Sequence, residues 1–396
     1  MSYCHSVFNF YGIKMKRTLS VNIVNVCAVT LLTFVLSLTV VRSFYSMGVI
    51  ETRLDTSDFK YSDAYNTIMY NEARCKFSDK VVLVNIHNCD NAQIFETVDS
   101  IEKYSPSAVG IDILFRQHDS ITSTSHLAQY DNVVLAGDAK HCPLDTYFSC
   151  IPRKKIGIVR SDATTLTEVA RTFTVSYPSE DGVYLGFPVE VVRVAYPEKF
   201  RIFESDKRVK RDNKAVINYQ TALFDTIHSE TVLAGASEWW KELVHDRIVL
   251  IGDLEDDQDI FLTPLSKGKR SDTSRVRRGP MCGLMINAYS VETILNGPLI
   301  REVPKVINWL IAILTCCALL CLNRLYSNWF PNGASLLIRL TQIAALFVFL
   351  AIGCACFHYG NRYLDFVPAM LMISLSSLAN DMWNGAVAVA KKRKKT

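Results

Sequence analysis

The chain has 396 residues, 49% of them apolar, and a formal net charge of +4 from 43 basic and 39 acidic side chains. That length holds one or two domains with real cores, and so mild a charge gives no argument for a nucleic-acid partner. The apolarity is uneven: four stretches at the two ends are candidate membrane spans, which argues against a wholly soluble protein.

The first candidate runs from about Ser20 to Val41. It is long enough for a hydrocarbon core of about 30 Å, which needs roughly 20 residues. Lys14, Lys16 and Arg17 precede it. A cleaved signal peptide is the rival reading. The run is long for one, however, and Val40-Val41-Arg42 lacks the small residues of a cleavage site, so an uncleaved anchor is favoured. Residues 43–78 read as an interrupted helix leading from this span into the middle of the chain.

Val81 to Phe115 organises that middle region. Val81–Ile86 is a nearly unbroken apolar run rich in β-branched residues, the pattern of a strand buried on both faces. Asp90 to Tyr104 has helical spacing, with Ile94, Val98, Ile101 and Tyr104 on one stripe, and Ser105-Pro106 stops it. Ala108–Phe115 is a second apolar run. A helix between two strands predicts a parallel pair with a right-handed crossover. The expected fold class is therefore α/β with a mostly parallel sheet.

Further along, Asn132–Ala136 and Ile156–Val159 predict strands. Phe173–Tyr177 and Gly182–Gly186 predict edge strands around a turn. Pro188–Tyr196 predicts a helix closed by Pro197, and Lys207–Lys214 a solvated charged turn. Ala215–Tyr219 predicts a strand, Phe224 to Ala234 carries a short helix, and Glu238–Val244 is another. Arg247–Gly252 is the most strand-like run after the opening unit. Gly283–Asn296 predicts a long amphipathic helix returning to the membrane.

Three more spans are expected near Val306–Leu322, Leu336–Phe357 and Leu364–Leu378; buried core helices are the alternative for some of them. Basic residues before the first span, Arg324 and Arg339 between the next two, and Lys391–Lys395 after the last place both ends in the cytoplasm by the positive-inside rule. The expected division is a cytoplasmic start (1–19), a span (20–41), an extracytoplasmic domain (43–304), three spans (306–380) and a basic tail (381–396).

Of the twelve cysteines, those in or beside the spans read as small apolar packing residues. Cys75, Cys89, Cys142, Cys150 and Cys282 fall outside, where disulfides persist. Cys142–Cys150 is the easiest loop to close; Cys89 with Cys142 is the alternative.

A parallel sheet takes ligands beyond the carboxyl ends of its strands. Those ends carry His87, Asn88 and Asp90, then Asp112 and Arg116, then Asp138, then Asp253, and these are the candidate ligand-binding residues. Helix capping and loop closure are the plain alternative for such residues. The acidic stretch Asp253–Asp259 lacks the central Gly and late Glu of a calcium loop and reads as solvated. The basic loop 267–278 and the tail can meet lipid headgroups. No phosphate loop, zinc motif or nucleophile elbow is present. No catalytic residue, metal or cofactor is expected.

Several blocks in order resemble the CHASE2 family of extracellular sensor domains. DFKYSDAYNTIMYNEA with KVVLVNI, then SAVGIDILF, DNVVLAGD, AVINYQ, LVHDRIVLIGD, DIFLTPL and GLMINAYSVETILNG carry the resemblance over about residues 55–300. Asp259, Thr263 and Pro264 match a recurrent block, which implies a structural role for them. Asn287 stands where relatives often carry His, and His87-Asn88-Cys89-Asp90 replaces an aromatic and Arg-rich segment. The family commonly joins its last span to a cytoplasmic effector; here roughly a short tail follows. The resemblance implies a multi-pass protein of the bacterial inner membrane with its main domain in the periplasm or outside. It would detect an unknown ligand and signal through a separate effector protein in the membrane or cytoplasm, as a homodimer by the family's habit. An extracytoplasmic scaffold for protein or cell-wall partners is the second reading, and an external hydrolase or transferase the third.

Overall fold

The computed structural model describes residues 23–40, 42, 63, 66, 76–115, 126–127, 129–138, 155–159, 169–179, 182–220, 222–235, 238–256, 259–265, 280–297, 299–330 and 333–393. Arg116, Cys142, Cys150, the basic loop 267–278 and the ends of the chain lie outside them. The chain divides into two units, Asp58–Arg301 and a second made of Glu302–Thr396 with the N-terminal segment.

The first unit is built on a six-stranded, all-parallel sheet. Its strands are β1 (Lys76–Asn85), β2 (Ala108–Ile111), β3 (Val133–Gly137), β4 (Ile156–Ile158), β5 (Ala222–His228) and β6 (Ile248–Gly252). Their order across the sheet is β4-β3-β2-β6-β1-β5. The three strands that read most clearly in the sequence are thus neighbours, with Val81 opposite Ile248 and Ile248 opposite Ala108.

Alternating side chains divide the core into two layers. Leu83, Val134 and Leu250 face helix α2 (Phe187–Ala195) and helix α5 (Gly283–Asn296). Val84, Val109 and Ile251 face helix α1 (Asn91–Glu102) and the short helices α3 (Ser229–Ala234) and α4 (Trp239–Val244). Close approach needs small residues. A Cβ on Gly157 of β4 would stand 2.5 Å from the Phe187 backbone at the start of α2.

Several expectations need correction. The strands expected at Phe173–Tyr177 and Gly182–Gly186 form outside the six-stranded sheet. Thr172–Thr174 pairs antiparallel with Lys214–Val216, and Ser176–Ser179 forms a hairpin with Gly182–Leu185. The charged segment after Ser205 is a helix, Lys207–Asp212, because the Asp206 side chain accepts from the Arg208 N–H and Asn213 closes it in the left-handed region. Pro197 does not merely end α2 but opens a further helix, Pro197–Ser205, since proline suits a first helical position. The short helix expected within Phe224 to Ala234 is confined to its second half, Ser229–Ala234, and Phe224 lies in β5. Helix α5 is buried on most sides rather than amphipathic, with Ser290, Glu292 and Thr293 enclosed alongside its apolar residues.

The second unit holds four long helices, Ile23–Val40, Lys305–Trp329, Ala334–Gly360 and Val367–Arg393. The first three are long and apolar enough to cross a membrane. The expected fourth span falls in the first half of Val367–Arg393, whose later Asn380, Asp381, Asn384 and basic end keep it below that apolarity. Phe34 meets Trp309 edge-on at 5.2 Å, and Gln342 donates to Ser376 Oγ at 3.0 Å.

Candidate functional site

The strand order creates a crevice. After β1 the chain passes to α1 on one face of the sheet; after β6 it reaches α5 on the other. Loops leaving adjacent strands in opposite directions leave space between them, where ligands bind in open α/β sheets. A cavity of about 600 Å³ lies there. Ile86, Ile94, Phe173 and Leu284 give it apolar walls, and Asn88, Asp112, Asp253, Asp256, Asp259 and Asn287 its polar groups.

Of the residues chosen from the sequence, Asn88, Asp112 and Asp253 line this cavity. Asn88 sits in the left-handed region (φ 63°), which an Asn tolerates. His87 turns to the acidic loop instead: its Nδ1 is 3.2 Å from Asp253 and its Nε2 is 3.9 Å from Glu255. Asp90 is the N-cap of α1. Its carboxylate accepts from the Gln93 N–H at 2.8 Å, and Gln93 Oε1 accepts from the Asp90 N–H at 3.0 Å. The reciprocal pair is a capping box, so the plain reading holds at this position. Asp138 follows β3 and is not among the cavity-lining residues. Arg116 and the Cys142–Cys150 pair lie outside the described residues. Cys89 and Cys282 are free thiols.

Asp256, Asp259 and Asn287 also line the wall and were not chosen as ligand-binding residues. Asp259 and Asn287 hold the start of α5. Cys282 occupies the N-cap position and supplies no side-chain acceptor. The Gly283 N–H donates instead to Asp259 Oδ2 at 2.9 Å. A Cβ on Gly283 would stand 2.5 Å from that oxygen, so glycine is what permits the contact. One turn on, Asn287 Nδ2 donates to Asp112 Oδ2 at 2.8 Å. The acidic stretch is therefore part of a built wall rather than simply solvated.

The electrostatics follow from enclosure. Burial pushes the Asp112 carboxyl up to about 7, against the Asn287 amide that favours its charged form, and the nearby Asp259 adds to the rise. Asp259 is raised as well, by burial first; the Gly283 N–H opposes this, and Asp256 and Asp253 reinforce it. Two carboxyls that share one site do not both ionise readily. No Lys or Arg is among the lining residues described. Among the described residues no group of three or more His, Cys, Asp or Glu side chains converges to hold a metal ion.

A second, more apolar groove of about 460 Å³ follows the outer side of β5. Phe77, Leu223, Phe224, Met281, Cys282 and Met285 line it.

A search of known proteins bears on this architecture. The model of the CHASE2 domain matches residues 64–322, which takes in the whole sheet, the cavity and the helix after it. No curated protein and no solved structure matches the chain. CHASE2 is an extracellular sensory domain family. With its main domain and more than half its length matched, the chain belongs to the CHASE2 domain family.

Proposed function

We propose that this chain is a membrane-anchored sensor whose α/β domain binds a small ligand in the cavity at the carboxyl ends of β1, β2 and β6. On this reading it sits in a bacterial inner membrane with that domain in the periplasm or outside. It hands its signal to a separate effector protein in the membrane or cytoplasm, acting as a homodimer. The observation that carries the reading is the cavity itself: about 600 Å³ at a switch point of the sheet, with apolar walls and convergent polar groups. The family's sensory character and three apolar helices agree with it.

We read the cavity as binding rather than catalytic. Among the described lining residues the one thiol, Cys89, meets Ser229 Oγ at 2.9 Å rather than a base. His87 is not among the described lining residues and is engaged by Asp253. Catalysis by a nucleophile requires a base within hydrogen-bond reach. The scaffold reading has one observation in its favour, the apolar groove along β5.

The test is a thermal-shift screen of the full-length protein in lipid nanodiscs against a library of small polar metabolites. A variant with the cavity filled, Asn88→Trp, runs in parallel. A compound that raises the wild-type Tm but not that of Asn88→Trp supports the sensor. No shift in the screen, with in-membrane crosslinking that captures only external proteins through Leu223 or Phe224, would replace it with the scaffold.

A further inference from the structure

Helix α5 is the last helix of the domain before the chain reaches Lys305–Trp329, so anything that alters its first turn acts close in sequence to a candidate span. Two carboxyls hold that turn. Asp259 takes the Gly283 N–H, and Asp112 takes the Asn287 amide, at positions four apart and hence on one face of the helix. Asp112 comes from the end of β2 and Asp259 from the loop after β6. The helix is thus tied at once to two segments of the sheet's ligand-binding edge.

We propose that Asp112 and Asp259 form a proton-operated latch on α5, clamped while the pair holds one proton and loosened when both carboxyls are charged. This deepens the sensor reading and rests on it, since it assigns the cavity a response to external pH.

The surroundings give the latch its sign. Asp253 and Asp256 face the pair from the loop after β6, and the Cys282 thiol, itself pushed up to about 11 mainly by burial, faces it from the start of α5. His87, from the loop after β1, is occupied with Asp253 and Glu255. The remaining polar neighbours on α5 and after β1, Asn287, Ser290, Asn88 and Asn91, are neutral, and the Cys89 thiol there meets Ser229 Oγ. No described cation lines the cavity to absorb a second negative charge. The helix N-terminus favours charge on Asp259, which its N–H group contacts, so the proton resides on Asp112. Losing it places two like charges against one helical turn in an enclosed wall, where repulsion is weakly screened.

The experiment is hydrogen–deuterium exchange of residues 283–290 in the full-length protein in nanodiscs, corrected for the intrinsic pH dependence of amide exchange. Protection in the wild type should fall about tenfold between about pH 6 and pH 8, with a midpoint near 7. In Asp112→Asn it should be flat, because the amide keeps the Asn287 contact without titrating. A flat wild-type profile, or an unchanged midpoint in Asp112→Asn, overturns the latch. Infrared difference spectra of the wild type stand independent of any variant: a protonated-carboxyl band that disappears over the same interval is required, and its absence overturns the proposal. Neither readout uses a ligand, so a negative metabolite screen with a positive pH response would sink the ligand-binding reading and leave the proton response standing.

Discussion

Two helices start at the carboxyl edge of the sheet, and their first turns are held in opposite ways. Helix α1 follows β1 directly and carries its own cap: Asp90 and Gln93 satisfy each other's backbone N–H groups within four residues of chain. Helix α5 follows β6 at a distance and has no side-chain cap of its own. Its first N–H is met by Asp259, 24 residues earlier, and its first full turn by Asp112, 175 residues before Asn287. A local cap stabilises one helix and reports on nothing else. A cap assembled from three segments makes the helix depend on all of them, and on their charge.

The largest effect expected from that difference belongs to Asp112→Asn. The folded carboxyl titrates near 7 against an ordinary 3.8. Below the ordinary value both folded and unfolded chains hold the proton, and the group contributes nothing. As pH rises from there to about 7, only the folded chain still holds it, so stability falls, and above about 7 the full penalty applies. At 1.36 kcal/mol per unit this is at most about 4 kcal/mol. Asp112→Asn should therefore raise Tm at pH 8 and leave it unchanged near pH 4. A variant that gains nothing at pH 8 would show that the α5 cap is as indifferent to charge as the α1 cap.

The far end of α5 sharpens the contrast. Glu292 is 2% exposed and accepts from Ser78 Oγ at 3.0 Å and from Asn296 Nδ2 at 2.6 Å. Glu292→Ala removes a buried side chain and leaves Ser78 without its acceptor, for a loss of about 3 kcal/mol. It should lower Tm without moving the pH midpoint of the first turn. A moved midpoint would mean that the two ends of the helix are one device.

Next in size is Gly283→Ala. The added methyl meets Asp259 Oδ2, which must turn away, at a cost of about 2 kcal/mol. With Asp259 displaced, the exchange midpoint at residues 283–290 should shift down, because Asp112 loses its nearest like charge. An unchanged midpoint would assign the Asp112 shift to burial alone.

The same contrast explains what the sequence disclosed. Strands β1, β2 and β6 are enclosed by helices on both faces and read as unbroken apolar runs. Strand β5 is an edge strand with only two of its seven residues buried, so its pattern did not separate it from the helix after it. The helix Lys207–Asp212 carries one buried residue, Val209, too few to show a period. In the cavity, Asn88, Asp112 and Asp253 were legible because strand ends are legible. Asp90 stood at such an end too, but Gln93 three residues on was the signal of a cap. Asn287 lies far from the strand ends in sequence, and pairing it with Asp112, and Asp259 with Gly283, needed the fold. One cue was present: a helix opening at Gly283 behind Cys282 has no acceptor of its own and requires one from elsewhere.

Asp90→Ala is the smallest expected effect and the cleanest test of the local cap. Loss of an N-cap carboxylate costs about 1 kcal/mol, which in a domain of this size lowers Tm by roughly 2–4 °C. Asp90→Ser restores an acceptor for the Gln93 N–H and should recover most of that loss. Because Asp90 points into its own helix, neither variant should alter the pH profile of α5 or the response to any compound that shifts the wild type through the cavity. If Asp90→Ser recovers stability while a compound's shift is still lost, the carboxylate serves a ligand as well as a helix. The two helix starts would then differ in how they are built but not in what they report.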